Sequence, residues 1–98
     1  MSETFLGDRK VRKLVQVQEV DGEGLDGFLG QRLTLFCLNY IYTGTLVGVN
    51  DTCVRLDDAA IVYETGGFSD SSWKDAQKLP HSAYVMLACI ESFMQLKE

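Results

Sequence analysis

The sequence predicts a small all-β protein built on one strongly bent antiparallel sheet of about five strands. Three runs of alternating apolar and polar residues, at 29–35, 42–50 and 54–59, are separated by short polar breaks, and such alternation is typical of half-buried strands. The middle run contains Gly44 and Gly48. A glycine inside a strand marks a bend, a bulge or a close backbone approach. Strands bent in this way curl a small sheet into a barrel.

Length and composition fit one globular domain covering residues 1–98. The hydrophobic fraction is 46%, and a chain of this length removes about 65% of its unfolded surface from water on folding. No stretch has the apolar length of a membrane span. The first five residues have neither the pattern of a signal peptide nor that of a transit peptide. We therefore expect a cytoplasmic protein with no membrane partner.

The N-terminal part contains one ambiguous segment and one clear turn. Residues 9–20 fit either a helix face or a strand, and we favour a strand over 14–20. A turn is predicted at 21–24, where two glycines alternate with acids. Residues 25–29 can then form one helical turn, which Gly30 ends.

Three strands follow, at about 31–38, 41–50 and 53–64, and the glycines at 66–67 end the last one. Beyond them, Ser71 or Ser72 can cap a short helix that runs through Trp73 to Lys78.

Pro80 ends that predicted helix. The apolar run 83–96 comes next and is compatible with three structures. It can form one long strand, two strands that bend near Cys89, or a C-terminal helix.

The charge distribution is uneven. The chain has 14 acids against 9 bases, a net charge of −5, which on average repels a polyphosphate. Four of the bases cluster within five residues, however, as Arg9, Lys10, Arg12 and Lys13. Such a cluster can bind nucleic acid even on an acidic domain, although it can also be a solvated end of a strand or helix.

Metal binding and catalysis have little support in the sequence. Cys37, Cys53 and Cys89 form no C-x-x-C pair, so we interpret them as small apolar residues in a reducing compartment and predict no metal site. His81 follows a proline in a predicted loop and is expected to be solvated. Asp57 is next to Asp58, and adjacent residues of a strand point to opposite faces. We predict a non-catalytic protein without a cofactor.

Four stretches carry a recognisable pattern. The first is a helical turn followed by hydrophobic-Gly and alternating apolar residues, at 25–35. The second is aromatic-x-Gly-x-hydrophobic, at Tyr42, Gly44 and Leu46. The third is Leu-Asp-Asp-Ala at 56–59, and the fourth is hydrophobic-x-x-aromatic at Ile90 and Phe93. On these residues the chain resembles a divergent member of the Sm/LSm family of RNA-binding barrels. The resemblance implies a single Sm-like, SH3-like barrel of five strongly bent strands after a short helix. Residues 1–24 would be an N-terminal extension and 66–82 a variable loop insertion.

The chain departs from the family at the loops that grip a base and its phosphate. Asn50 stands where the family has an acid six places after its glycine. The family's Met-Asn is replaced by Thr52-Cys53 or Cys53-Val54, and its Arg-Gly by Met86-Leu87. The bacterial Tyr-Lys-His variant is not present.

An open five-strand barrel leaves two edges that need a partner. Pairing the last strand of one subunit with the preceding strand of the next satisfies both edges and closes a ring. The apolar run 83–94 suits such an interface, and it equally suits a core strand followed by a terminal helix. The resemblance implies a homo-oligomeric ring of roughly five to seven subunits.

The predicted ligand is single-stranded RNA or DNA, RNA in the first instance, in RNA or DNA processing. Polar contacts to bases and stacking on planar side chains are how single strands are bound. The predicted binding residues are Asn50, Asp51, Thr52 and Arg55 at the first loop, Tyr40 at the tip of the first hairpin, and the basic residues Arg9, Lys10, Arg12 and Lys13. The pair at 50–51 can also be a simple hairpin turn.

A different class of function remains open. The acidic balance and the missing signatures also fit a structural or assembly ring that acts through protein partners and binds no nucleic acid. Trp73 can be a contact point for such a partner, or it can cover the open end of the barrel.

Overall fold

The structure is a computed structural model that describes residues 3–6, 9–12 and 24–97. In the N-terminal part, β1 (Glu3–Leu6) and β2 (Arg9–Arg12) form a two-stranded antiparallel ribbon. The ribbon is not paired with the larger sheet described below. The strand predicted over 14–20 lies outside the described residues.

The rest of the described chain is all-β. A first 3₁₀ helix (Leu25–Phe28) precedes a six-stranded antiparallel sheet, and a second 3₁₀ helix (Leu87–Cys89) interrupts its last part. The strands are β3 (Arg32–Cys37), β4 (Ile41–Val49), β5 (Cys53–Glu64), β6 (Asp75–Lys78), β7 (Ala83–Met86) and β8 (Ile90–Met94). The strands predicted at 31–38, 41–50 and 53–64 are confirmed to within one residue. The sheet has one strand more than predicted.

The long strand β5 organises the pairing. One side of β5 pairs with β4 along most of its length, from Val54 to Val62. Its other side pairs with β7 over residues 53–56 and with β6 over residues 60–64. Pairing continues from β4 to β3 and from β3 to β8.

The predicted glycine bend is a pair of bulges between β4 and β5. Asp58 and Ala59 together stand opposite Gly44, because Thr45 pairs with Asp57 and Thr43 with Ala60. Asp58 has a positive φ of 49°. The second bulge lies on β4, where one extra residue stands between Leu46 and Gly48. Bulges bend a strand and increase its local twist.

Gly44 is required by close packing. A Cβ at this position would lie 3.0 Å from the Cβ of Leu56, 3.1 Å from the carbonyl oxygen of Asp57 and 3.2 Å from the Cα of Ala59. At Gly48 the nearest atom is the Cβ of Arg55, at 4.0 Å. Only the first of the two glycines is therefore a close backbone approach.

The hydrophobic core lies on one face of the bent sheet. Its buried residues come from β3, β4, β5 and β7, and they are Leu33, Leu35, Leu46, Val54, Leu56, Ala59 and Val85. Leu25 and Phe28 of the first 3₁₀ helix pack against this core. The rings of Phe28 and of Phe93 on β8 form a T-shaped contact, with their centroids 6.1 Å apart. The predicted helical turn thus covers part of the core.

The chain turns sharply after that helix. Gly30 has a φ of 85°, a conformation that glycine adopts without a steric cost. Its N–H donates to the carbonyl oxygen of Leu46 at 2.8 Å, and the N–H of Leu46 donates to the carbonyl of Gln31 at 3.0 Å. Gly30 therefore ends the helical turn, as predicted, and ties the chain to β4.

The helix predicted from Ser71 or Ser72 to Lys78 is wrong. Residues 75–78 form β6, which pairs with the far half of β5. The physical reason is that β5 extends to Glu64 and offers an unpaired edge there. Hydrogen bonds to that edge outweigh a short helix, which is marginal in water. Consequently the predicted loop insertion 66–82 contains a strand.

The apolar run 83–96 forms two strands with the bend near Cys89, one of the three structures compatible with its sequence. The second 3₁₀ helix makes the bend. Two hydrogen bonds hold this helix in place. The N–H of Leu87 donates to the carbonyl of Thr52 at 2.9 Å, and the N–H of Leu38 donates to the carbonyl of Cys89 at 3.1 Å.

Trp73 belongs to a small cluster formed by the 65–74 loop and the C-terminal residues. It is half-buried, and the ammonium group of Lys97 lies over its ring, 4.9 Å from the centroid. The same ammonium donates to the carbonyls of Thr65 and Ser72.

No helix in the described ranges has the length and apolar character needed to cross a membrane.

Candidate nucleic-acid interface

Asn50, Asp51 and Thr52 form the turn between β4 and β5. The side-chain oxygen of Asn50 accepts hydrogen bonds from the N–H of Thr52 at 2.8 Å, the hydroxyl of Thr52 at 3.1 Å and the N–H of Cys53 at 2.9 Å. Asn50 therefore supports the turn, as asparagine does in an Asx turn. Because the side-chain oxygen of Asn50 already accepts these three bonds, the side-chain NH₂ group is the part of Asn50 that can contact a ligand. Asp51 and Thr52 are exposed.

The turn, the second 3₁₀ helix and the β3–β4 hairpin lie next to one another. The bond from Leu87 joins the second 3₁₀ helix to Thr52, and the bond from Leu38 joins the same helix to the β3–β4 hairpin. The turn at 50–52 and the second 3₁₀ helix are therefore adjacent. The hairpin that carries Tyr40 is a third component of this region.

Arg55 is exposed on β5, but its charge is matched. Its Nε lies 3.0 Å from Oδ1 of Asp57 and its Nη2 lies 3.5 Å from Oδ2. Asp57 also accepts a hydrogen bond of 2.6 Å from the hydroxyl of Ser82. The Ser82 bond, followed by the Arg55 bond, holds the pKa of Asp57 below its usual value. Since exposed ion pairs are weak, a phosphate could still compete for Arg55.

The other basic side chains between residues 24 and 97 are also paired. Arg32 and Lys78 both lie 3.4 Å from the carboxylate of Asp58, and Lys74 lies 3.7 Å from that of Glu64. The ammonium of Lys97 is bound by carbonyl oxygens. Acids also outnumber bases in this part of the chain. The described sheet therefore offers little unbalanced positive charge to a polyanion.

The predicted basic cluster lies at the N-terminal ribbon. Arg9, Lys10 and Arg12 are residues of β2, where their positions stand opposite Leu6, Phe5 and Glu3 respectively. Lys13 lies outside the described residues. Pairing does not join this ribbon to the strands that carry Asn50 and Arg55.

Tyr40 borders a cleft of about 170 Å³. Its side chain is 51% exposed, as expected for the hairpin tip, and its ring meets the ring of Tyr42 edge to face at 6.1 Å. The cleft is also lined by Tyr84 and Met86 of β7, which are 64% and 52% exposed. Tyr84 stands opposite Arg55 in the register of β5 and β7.

Tyr84 is not among the binding residues that the sequence predicts. Its signal in the sequence is the alternation of Tyr84 and Met86 with Val85, which places these two residues on the opposite face from the buried valine. Treating the run 83–94 as a single apolar interface overlooks this alternation.

The same cleft is lined by two of the three free cysteines, Cys37 and Cys89. Burial, then the neighbouring Cys89 and Glu91, raises the pKa of Cys37, which keeps it as a thiol and lowers its reactivity. All three cysteines are half-buried. Within the described ranges, no three His, Cys, Asp or Glu side chains come together in a way that could hold a metal ion. His81 is exposed, as predicted.

Comparison with known proteins adds no relative. No protein-family model matches the chain. No curated protein and no solved structure matches it either.

Proposed function

We propose that this chain is a divergent Sm-like module, non-catalytic, that assembles through its strand edges into a homo-oligomeric ring and binds single-stranded nucleic acid. RNA is the first choice of ligand. The fold proposal, the assembly proposal and the ligand proposal rest on different observations, and each is testable separately.

The path of strand pairing carries the proposal. It runs β7–β5–β4–β3–β8, and its two terminal strands are consecutive in the chain, joined only by Leu87–Cys89. A pairing path whose first and last strands are direct neighbours along the chain favours a sheet that curls round on itself, as in a small open barrel. The bulges opposite Gly44 and beside Gly48 supply the local bend.

The unpaired edges support assembly. Among the described strands, β7 pairs only with β5, and β8 pairs only with β3. Within the described residues, each therefore has a second edge without a strand partner, and such an edge is an aggregation hazard unless it is used or protected. Exposed Met86 on β7 and Met94 on β8 are consistent with contact between copies. A heterologous edge contact repeated about an axis closes a ring.

Polar and planar groups near the second 3₁₀ helix support the ligand proposal. The turn Asn50–Thr52, Arg55 and the tyrosine-lined cleft lie along neighbouring parts of the sheet, and a ring would repeat them in every subunit. The pairing of the bases at 24–97 implies that most phosphate contacts come from the basic cluster at 9–13. Binding should therefore depend on salt through a few contacts only.

The second candidate is an assembly module that acts through protein partners. The specific observation in its favour is that Arg32, Arg55, Lys74 and Lys78 each face a carboxylate. An acidic surface with neutralised bases and exposed apolar edge residues suits a protein contact better than a polyphosphate.

Light scattering on the full chain tests assembly. We expect a mass that is a multiple of 10.9 kDa. The double variant Met86→Lys, Met94→Lys should lower the mass, because lysines on edge strands oppose strand pairing. The control is Tyr63→Lys, since Tyr63 is 54% exposed on β5. A monomeric wild-type chain would contradict the assembly proposal.

Binding of fluorescent oligo-U, oligo-A and single-stranded DNA at several salt concentrations tests the ligand. Reversing the charges of the basic cluster at 9–13 together with Arg55 should weaken binding and flatten the salt dependence. The log–log slope should fall by about 0.7 for each phosphate that the variant no longer neutralises. Lys74→Glu is the matched control. Affinity and slope that stay unchanged would refute this mechanism. A ring that binds no strand would favour the second candidate.

A further inference from the structure

The tyrosine-lined cleft has an unusual composition for a surface site on an acidic protein. None of its lining residues carries an acidic or a basic side chain, and Tyr40, Tyr42 and Tyr84 contribute three aromatic rings. Two of these rings are more than half exposed. The exposed amide of Asn39 also lies at the cleft.

These features fit a flat, uncharged ring with hydrogen-bonding edges. Bases of single strands stack on aromatic side chains, and their edges take hydrogen bonds from amides and hydroxyls. At about 170 Å³ the cleft is smaller than the pockets of about 300–1,000 Å³ that hold drug-sized ligands. It therefore has room for a single base rather than for a larger molecule. A neutral cleft also accepts a base without the repulsion that the acidic surface exerts on phosphate.

The position of the cleft agrees with the rest of the candidate interface. Tyr84 stands beside Arg55 across the β5–β7 pair, and Tyr84 contributes to the raised pKa of Arg55 after the larger effect of Asp57. Guanidinium planes stack with bases as aromatic rings do.

We propose that Tyr84 and Tyr40 stack a base of the bound strand in this cleft, with the amide of Asn39 at the edge of that base. The proposal rests on the nucleic-acid function proposed above and names the residues that bind the base. The proposed position of the base is therefore the cleft and not Thr52, which has no planar group.

Affinity measurements on tyrosine variants test it. Tyr84→Leu and Tyr40→Leu should each weaken binding of the best oligonucleotide by about fivefold to a hundredfold, the usual effect of removing one stacking side chain. Tyr84→Phe should bind like wild type, because it keeps the ring. Tyr63→Leu is the matched control, since Tyr63 is similarly exposed but lies away from the cleft. Circular dichroism and light scattering check the fold and mass of each variant.

Photocrosslinking with 5-iodouridine strands gives a direct readout on the wild-type chain. We expect crosslinks, mapped by mass spectrometry, at Tyr84 or Tyr40. Crosslinks confined to Tyr63 or Trp73 would overturn the proposal even if a tyrosine variant failed to fold.

The remaining outcomes separate the two proposals. If wild type binds strands and the leucine variants bind equally well, the cleft proposal fails and the nucleic-acid function stands. If the leucine variants change the mass of the assembly but not the affinity, the cleft is a contact between copies and the proposal also fails. If wild type binds no strand, both proposals fail. Titration with free nucleosides would then show whether the cleft takes single bases from solution.

Discussion

Replacing Gly44 with alanine is the sharpest test of the bent sheet. The added methyl group would meet the Cβ of Leu56, the carbonyl oxygen of Asp57 and the Cα of Ala59 at 3.0 to 3.2 Å. Two of these three atoms belong to the backbone of the β5 bulge and cannot rotate away. Relief of the overlap therefore needs β4 and β5 to separate locally, and overpacking of this kind costs about 1–3 kcal/mol.

The chain contains its own control in Gly48→Ala. The nearest atom to a methyl group there is 4.0 Å away, and the φ of neither glycine is positive. Both alanines reduce the entropy of the unfolded chain, a gain of about 0.4–1 kcal/mol in each case. Since that gain cancels in the comparison, Gly44→Ala should be about 2 kcal/mol less stable than Gly48→Ala, or roughly 8–16 °C lower in Tm.

Urea unfolding followed by far-UV circular dichroism measures this difference. All proteins are compared at one concentration, because association shifts apparent stability. The m-values of the two variants should agree, so that the midpoint reports stability alone. Equal stability of the two variants, or a larger loss at Gly48, would refute the argument that Gly44 is a steric requirement of the bulge.

Three further predictions follow from the polar contacts. Because the pKa of Asp57 is lowered in the folded protein, its contribution to stability is present above the usual value of 3.8 and is lost as the pH falls through the lower folded value. Ser82→Ala should therefore shrink the loss of stability that occurs as the pH falls below 3.8, whereas an unchanged pH profile would show that the hydroxyl has no such role. Asn50→Ala should lower the free energy of unfolding by about 1 kcal/mol, since three donors lose their acceptor; Asn50→Asp keeps the acceptor and should cost less, so equal losses would count against the turn argument. Lys97→Met should shift Trp73 emission to longer wavelength and increase its quenching by iodide. The free energy of unfolding should fall by about 1 kcal/mol or less. An unchanged Trp73 spectrum would contradict the contact.

Much of the fold can be predicted from local patterns. The alternation in 31–38, 41–50 and 53–64 identifies three strands to within one residue, and Gly30 correctly marks the end of the helical turn. These features depend on residues close together in the chain, where side-chain period and backbone freedom decide the conformation.

The prediction fails where a distant strand decides the structure. All four residues of β6 are exposed, so they carry no apolar period that could identify a strand. A serine cap and a proline stop are the only local signals, and both indicate a helix. The segment is a strand because β5, more than ten residues earlier, extends far enough to leave an edge for it.

The positions of the candidate residues in turns and strands were predictable, but their contacts were not. The sequence places Asn50, Arg55 and Tyr40 at loops and strand ends, and the structure does so too. It could not predict that Asn50 uses its carbonyl oxygen within its own turn, or that Arg55 faces Asp57. It also could not show that Tyr84 and Tyr40 line the same cleft.

The amino-acid sequence by itself determined the three central strands at 31–38, 41–50 and 53–64, where the sheet bends and which residues lie at the turns between them, because each is a property of a few neighbouring residues. Only the tertiary structure decided which charges are neutralised and which rings share a cleft. Arg32 meets Asp58 across 26 positions and Ser82 meets Asp57 across 25. Such contacts depend on the pairing of whole strands, and pairing is decided by the complete sheet and not by any one segment.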